Sequence, residues 1–150
     1  MRSESANRST RLLLLLALVA SSGCATTPGN ERRDMESHEE RWGVKPLAVR
    51  LSGAGYMLDF RLRVLDREKA APLLVRRSDC YLIAEKSGGI LQVARSPKVG
   101  ALRSTVRAES MVKQDRVYGA LFANPGRFVH AGDTVTVVMG NFRAEHLVVQ

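Results

Sequence analysis

The amino-acid sequence predicts an all-β protein, a single sandwich of about seven short strands behind a flexible N-terminal tether. Three observations support this fold class. Apolar and polar residues alternate with a period of two over residues 56–65. Turn-forming residues, chiefly Gly, Asn, Asp and Ser, recur between short apolar runs. No segment after residue 41 carries a helical apolar pattern of about ten residues or more.

The first predicted hairpin contains the clearest strand, which covers residues 56–65. Its alternate side chains are apolar and are expected to face the core: Tyr56, Leu58, Phe60, Leu62 and Val64. A shorter strand, with Leu47, Val49 and Leu51 on its apolar face, precedes it. Residues 52–55 are small and glycine-rich, and they are expected to form the turn between the two strands.

Turn residues divide the rest of the domain into further strands. Apolar runs predict strands over residues 80–85, 90–94, 117–123, 134–139 and 142–149. Residues 66–72 are expected to form a polar turn, with at most one helical turn that Pro72 ends. Residues 96–116 have no apolar period and are expected to form a long crossing loop. Because the chain ends on a strand, we expect a paired C-terminus whose truncation destabilises the fold.

The order of the hairpins favours an immunoglobulin-like or fibronectin-like Greek key, with a small open barrel as the alternative. Cys80 begins one of the apolar strands, next to Tyr81 and Leu82. We expect it to be a small, buried and unreactive side chain.

The N-terminal segment predicts export. Arg2, Arg8 and Arg11 precede an apolar stretch over residues 12–20, which is too short to span a bilayer. A basic region, a short apolar region and small residues are the pattern of a signal peptide, here residues 1–23. One interpretation of this segment is a plain signal peptide followed by an incidental cysteine.

Ser21, Ser22 and Gly23 lead directly into Cys24, and this sequence resembles the lipobox of bacterial lipoproteins. The resemblance implies cleavage between Gly23 and Cys24, a diacylglyceryl thioether on Cys24, and acylation of the new amino terminus, for example with palmitate. Ala25 follows the cysteine, where an Asp often retains such proteins in the inner membrane. We therefore expect an outer-membrane lipoprotein that faces the periplasm, with surface exposure left open.

Composition separates a tether from a domain. Residues 24–41 comprise the lipidated cysteine and a charged tether in which Met35 is the one large apolar residue. The domain covers residues 42–150, and its 17 basic and 9 acidic side chains give a net charge of +8. Such a surplus favours anionic neighbours, among them lipopolysaccharide phosphates, anionic lipids and acidic protein surfaces.

A candidate basic patch consists of Arg61, Arg63, Arg76 and Arg77, with a merely solvated strand face as the alternative. Nucleic acid is not an expected partner, because the protein is predicted to be exported. In addition, aromatic residues make up only 5% of the chain, which leaves few platforms for base stacking.

Candidate chemistry is sparse. His38, His130 and His146 lack the spacing of a metal site, so we expect no metal, no cofactor and no catalytic residues. Two alternatives remain open at the level of composition. One is a copper site using Cys80, His130, His146 and Met139. The other is a thiol enzyme using Cys80, Asp133 and either His130 or His146.

Three stretches, residues 55–66, 121–127 and 137–145, resemble a group of uncharacterised bacterial lipoproteins. The resemblance implies a small β-rich domain and no particular activity. The sequence thus favours a lipid-anchored, non-enzymatic binding or accessory module of the cell envelope. A periplasmic metal or small-molecule carrier and a small thiol-dependent enzyme are the alternative functions.

Overall fold

A computed structural model describes residues 38–75 and 78–150 of the chain. The predicted signal peptide, Cys24, and residues 25–37 of the predicted tether lie outside the described residues. Arg76 and Arg77 of the candidate basic patch lie outside them as well.

The described residues are mainly β-structure, joined by short turns and by the helix α1 at Arg67–Leu74. The strands in chain order are β1 (Val44–Ser52), β2 (Met57–Val64), β3 (Cys80–Ala84), β4 (Gly89–Gln92), β5 (Arg95–Ser96), β6 (Gly100–Ala101), β7 (Val117–Ala123), β8 (Thr134–Met139) and β9 (Phe142–Val148). Residues 38–42 are helical and lead into β1.

The strands form two antiparallel sheets, and the fold is therefore the predicted all-β, sandwich-like one. The first sheet has the order β1-β2-β7 and the second has the order β4-β3-β8-β9, while β5 and β6 form a separate short ribbon. The core lies between the sheets, with the aromatic rings of Phe60, Phe122 and Phe142 fully buried. The immunoglobulin-like or fibronectin-like subtype stays a prediction.

The register of β2 is largely as predicted. Leu58, Phe60, Leu62 and Val64 are each at most 1% exposed. Tyr56 is the exception, because it is 56% exposed and its backbone N–H donates to Gly53 O in the turn before β2. It precedes the strand, so the alternation does not apply to it.

In β1 the predicted inward position of Leu47 is wrong. Its side chain is 41% exposed, because a β-bulge between Pro46 and Ala48 shifts the pairing with β2. After the bulge the alternation resumes, and Val49 is buried. Leu51 is half-buried against the core.

The predicted polar turn over residues 66–72 is also wrong, since α1 continues through Pro72 to Leu74. Asp66 caps the helix by accepting hydrogen bonds from the backbone N–H groups of Glu68 and Lys69. Four buried side chains hold the helix against the core, namely Ala70, Ala71, Leu73 and Leu74. This burial outweighs the N–H group that Pro72 removes from the helix.

The predicted crossing loop is only partly irregular. It contains β5 and β6, and a 3-10 turn at Glu109–Met111. Between these elements Arg103 forms an isolated bridge with Ala120 of β7. The Arg103 guanidinium donates to Ser78 O at 2.7 Å and to Val75 O at 2.9 Å, which fixes the loop against the end of α1.

Each sheet is joined to the other at its edges. Val49 forms a parallel bridge with Val149, and Gln150 N donates to Val49 O at 2.9 Å, which confirms the predicted pairing of the C-terminus. On the other side, Val93 bridges Phe122. Within residues 38–75 and 78–150, no helix has both the length and the apolarity to cross a membrane.

The domain has two poles. The α1 pole comprises residues 38–43, α1 and the loop over residues 103–116, and here the described chain enters the fold. Gly43 O binds this entry to the end of β2 by accepting from Leu65 N and Asp66 N. The loop pole, at the opposite end of the sheets, comprises the β1–β2 turn and the loop over residues 124–133.

Candidate functional site

The structure describes two members of the predicted basic patch, Arg61 and Arg63. The guanidinium of Arg61 is exposed, but it donates two hydrogen bonds, at 2.7 and 2.8 Å, to the Asp59 carboxylate. The hydrogen bond to Asp59 raises the pKa of Arg61, against the lowering effect of its partial burial. Arg63 is exposed two residues further along β2. Arg63 is therefore the member of the patch that retains an uncompensated charge among the described residues.

Other cations on the outer face of the first sheet also have partners. Lys45 forms an ion pair with Glu39 at 3.1 Å, and Arg50 donates to Gln150 Oε1 at 3.2 Å. Both contacts are exposed, and they occupy donors that a ligand would otherwise use. The centre of this face is thus a poor site for an anion.

A second group of cations, which sequence reasoning missed, lies at the α1 pole. It lines an open pocket of about 420 Å³ between the loop over residues 104–113 and the start of β7. We call this the basic pocket, and its lining consists of Ser104, Thr105, Val106, Arg107, Met111, Lys113, Arg116, Val117 and Tyr118. Three of these side chains are cationic and none is acidic.

The backbone around the basic pocket is held in place by hydrogen bonds. Val106 N donates to Leu74 O at 2.9 Å, which ties the loop to α1. Lys113 N donates to the Tyr118 hydroxyl at 3.0 Å. Asp115 takes a left-handed conformation, with φ 58°, and its N–H donates to Val64 O at 2.8 Å. The buried side chain of Val112 anchors the middle of the loop.

The cations of the basic pocket form no ion pair within the described residues. No carboxylate of residues 38–75 or 78–150 lies within 4.0 Å of the charged nitrogens of Arg107, Lys113 or Arg116. The Arg116 guanidinium carbon lies 5.9 Å from the centre of the Tyr118 ring. Arg63 is the direct cross-strand partner of Val117, so it adds a fourth cation at the pocket's edge.

A shallower groove of about 280 Å³ adjoins the pocket along β7. Its two arginines are already bound, Arg61 to Asp59 and Arg103 to Ser78 and Val75. The Arg61 side chain also lies across Gly119, where a Cβ atom would come within 2.9 Å of Arg61 Cδ. This groove therefore offers a ligand little free charge.

Cys80 is buried, as predicted. Its residue surface is 9% exposed, and burial raises the pKa of its thiol to about 11, against the lowering influence of the nearby Arg103. Its cross-strand partner is Met139 of β8. At neutral pH the thiol is protonated and shielded, which disfavours nucleophilic chemistry at this position.

The histidines have separate local partners. His38 Nε2 lies 2.7 Å from Arg143 O, His130 Nδ1 lies 3.6 Å from Asp133, and His146 Nδ1 lies 3.0 Å from Glu85. In the described part of the chain, no three His, Cys, Asp or Glu side chains come together as metal ligands. Of the four residues of the alternative copper site, the fold places Cys80 and Met139 side by side as cross-strand partners. His130 and His146 instead contact Asp133 and Glu85.

The loop pole presents a second surface, which we call the aromatic surface and which consists of Tyr56, Arg127 and Phe128. Tyr56 and Phe128 are 56% and 55% exposed, and the Arg127 guanidinium carbon lies 5.5 Å from the Tyr56 ring centre. Behind these side chains lies Asn124, which is fully buried and hydrogen-bonded to the backbone of both loops. Arg127 itself takes a left-handed φ of 53°, a strained conformation for a residue other than glycine.

Asn124 connects the two loops of this pole. Its side-chain N–H group donates to Gly55 O at 2.8 Å and to Val129 O at 2.9 Å, and its oxygen accepts from Val129 N at 3.2 Å. Residues 121–127 carry part of the resemblance to the bacterial lipoprotein group, but the sequence does not indicate this bridging role of Asn124. Long-range backbone partners carry no local sequence signal.

The basic pocket, in contrast, left a weak signal in the sequence. Its three cations, Arg107, Lys113 and Arg116, fall within the aperiodic segment over residues 96–116. Comparison with protein-family models, curated proteins and solved structures gives no match to this chain. Function must therefore be inferred from the pocket and from the surfaces around it.

Proposed function

We propose that this protein is a lipid-anchored, non-enzymatic binding or accessory module of the cell envelope. In this proposal it presents a basic surface of its sandwich to an anionic envelope partner. The observation that carries it is a group of four cations that form no ion pair among the described residues, Arg63, Arg107, Lys113 and Arg116, which we call the basic surface. A protein surface with one sign of charge attracts partners of the opposite sign.

The geometry of the chain supports a position near a membrane. The basic surface lies at the α1 pole, where the described chain enters the fold. Residues 25–37 separate the proposed lipid on Cys24 from His38, a span of at most about 50 Å when fully extended. With Cys24 acylated, the basic surface would lie within reach of the headgroups of the outer membrane's periplasmic leaflet. Its nearest anionic partners would be found there.

The alternative functions receive less support. A thiol-dependent enzyme needs an accessible thiolate, but Cys80 is buried and its pKa is raised to about 11. A metal carrier needs ligands that attract cations, whereas the basic pocket carries three positive side chains and no acidic one. A carrier of small anions remains compatible with this pocket.

The anchor is tested by changing Cys24 to Ala. Acyl chains provide about 0.8 kcal/mol per buried methylene, so their loss should release the protein from the membrane fraction while the domain stays folded. Fractionation in high salt, with circular dichroism of the released protein, measures both effects. A Cys24→Ala chain that stays in the membrane fraction under these conditions contradicts the proposed anchor.

The basic surface is tested in the same Cys24→Ala background, so that no lipid contributes. The full chain carrying Arg107→Glu, Lys113→Glu and Arg116→Glu should lose most of its binding to vesicles of phosphatidylcholine and phosphatidylglycerol. A matched control reverses three exposed cations elsewhere, Lys86, Arg95 and Lys98, and changes the net charge equally. Equal losses in the two triple variants would show that only net charge matters, and would overturn the proposed surface.

A further inference from the structure

We propose that the basic pocket is a specific site for the phosphate group of a phosphomonoester or a diphosphate. This deepens the proposed function and rests on it, because it assigns the anionic partner a chemical class. The ligand would enter between Arg107, Lys113 and Arg116, with its organic part directed toward the rim.

The charge of the pocket matches a phosphate better than a carboxylate. Three cations line it, and no described carboxylate lies within 4.0 Å of their charged nitrogens. A phosphomonoester carries about −1.5 to −2 charges near neutral pH and presents three strong acceptor oxygens. A carboxylate supplies one charge and two oxygens, so it would leave more of the pocket's charge uncompensated. The two arginines also provide forked donors that suit phosphate oxygens.

The basic pocket also contains an uncharged hydrogen-bond donor, the Tyr118 hydroxyl. The Tyr118 hydroxyl accepts the backbone N–H of Lys113, and this contact leaves the hydroxyl's own proton to be donated elsewhere. Tyr118 is only 6% exposed and lines the basic pocket. Burial of the ring and the contact with Lys113 N together hold the hydroxyl in a defined position at the wall of the pocket.

The pocket also has room and apolar surface for the rest of an ester. Its volume of about 420 Å³ exceeds that of a single phosphate and falls in the range of small-molecule sites. Met111 and Val117 line it and are 55% and 41% exposed. Two such side chains beside three cations favour an organic phosphate, either a lipid headgroup or a soluble ester.

Phosphate binding is tested by calorimetry on the full Cys24→Ala chain in a non-ionic detergent, with inorganic pyrophosphate as the probe. We expect saturable binding with one site per chain. Arg107→Gln and Arg116→Gln should each weaken it about tenfold, the effect of losing one charge-assisted hydrogen bond. The matched control Lys98→Gln, which removes an exposed cation of the β5–β6 turn, should change the affinity less than about twofold.

Tyr118→Phe tests the neutral donor without altering charge. We expect the variant to bind pyrophosphate several-fold more weakly than the parent chain. Binding should still saturate, because the three cations remain. Its melting temperature is measured alongside, since the variant also loses the contact with Lys113 N. Absence of saturation by pyrophosphate in the parent chain overturns the site, and so does an equal effect of Lys98→Gln and Arg107→Gln.

Vesicles distinguish the two sources of the phosphate. If the ligand is a headgroup, vesicles containing phosphatidic acid should bind better than vesicles of equal charge made with phosphatidylglycerol, and pyrophosphate should compete. If it is a soluble ester, pyrophosphate should bind with no preference between the vesicles. Either result supports a phosphate site. Loss of vesicle binding in the triple charge reversal without any pyrophosphate saturation would leave the proposed function standing and remove this inference alone.

Discussion

At the scale of single residues, burial decides what Cys80 does. The thiol lies between apolar neighbours near Met139 and Arg103, and its pKa is raised to about 11, chiefly by burial. The folded state therefore holds the thiol proton at pH values where an unfolded chain, with a thiol pKa of about 8.5, releases it. A free thiol of this kind behaves as a small apolar side chain.

The free energy of unfolding should accordingly fall as the pH rises from about 8.5 toward 11, because the unfolded chain binds fewer protons than the folded protein in that window. The Cys80→Ala variant should lack this contribution and should lose only about 1–2 kcal/mol at neutral pH. Urea unfolding of both proteins across the window measures the difference between their pH profiles. Parallel profiles would contradict the raised pKa.

Labelling with a thiol reagent provides an independent check on Cys80. The native Cys24→Ala chain should react slowly at neutral pH and quickly after denaturation, because both burial and protonation protect the sulfur. Rapid reaction of the native protein would make Cys80 accessible, and it would reopen the thiol-enzyme alternative.

Adjacent residues of β2 should differ sharply in their energetic importance. Phe60 is fully buried between the sheets, so Phe60→Ala should cost about 3–5 kcal/mol of unfolding free energy. Arg61 faces solvent and forms an exposed ion pair with Asp59, so Arg61→Ala should cost about 0.5 kcal/mol. Urea titrations of the two variants measure both values. The opposite ranking would mean that the register of β2 is wrong.

At the scale of elements, the sequence pattern predicts those strands whose position is determined by neighbouring residues along the chain. The strands over residues 117–123 and 134–139 match β7 and β8, because alternating apolar residues and flanking turn residues define them. Leu47 was assigned to the wrong face because its orientation depends on a bulge in the pairing with β2. Helix α1 was missed because tertiary burial stabilises it in spite of Pro72.

The candidate site depended even more on tertiary structure. Arg61 and Arg63 share a face, as the sequence predicted, but the sequence did not indicate that Asp59 binds one of them. The basic pocket requires the 3-10 turn at Glu109–Met111 and the contact of its loop with α1. Neither feature follows from periodicity, so the cations of an irregular segment could not be assigned to one site.

The loop pole should depend on a single polar side chain. Asn124→Ala would leave two buried backbone groups, Val129 N and Val129 O, and the partly buried Gly55 O without their partner. We expect a loss of about 2–4 kcal/mol, since each unsatisfied buried group costs about 1–3 kcal/mol and relaxation recovers part of it. Thermal unfolding measures the loss. Asn141→Ala, in the exposed β8–β9 turn, is the control, and a similar small effect in both variants would contradict the bridging role.

At the scale of the whole molecule, the C-terminus closes one side of the sandwich. Gln150 exchanges backbone hydrogen bonds with Val49 and Leu51, and Val149 is 2% exposed. Deletion of residues 149 and 150 should cost about 2–4 kcal/mol, from one buried valine and the unpaired backbone groups of β1. Gln150→Ala keeps the backbone pairing and should be nearly neutral. Equal stability of the deletion and the parent would contradict the closure.

The two poles divide the molecule into surfaces of different chemistry. The α1 pole carries the basic pocket, while the loop pole carries two exposed aromatic rings beside Arg127. They lie at opposite ends of β2, whose eight residues span about 26 Å. Charge reversal at one pole should therefore leave the structure of the other unchanged.

The joined edges of the sheets limit how another chain could dock. Proteins often recognise a partner by letting it add a strand to an open edge, where backbone groups supply the affinity. Here β1 is bound by Val149 and Gln150, β4 is short and leads into a bridge with β7, and β9 is bent at His146, which has a φ of 57°. Strand addition to the described sheets is thus disfavoured, and so is the edge-to-edge self-association that leads to aggregation. We therefore expect recognition by this fold to use side chains, so that substitution can alter its selectivity for a partner without disturbing the framework.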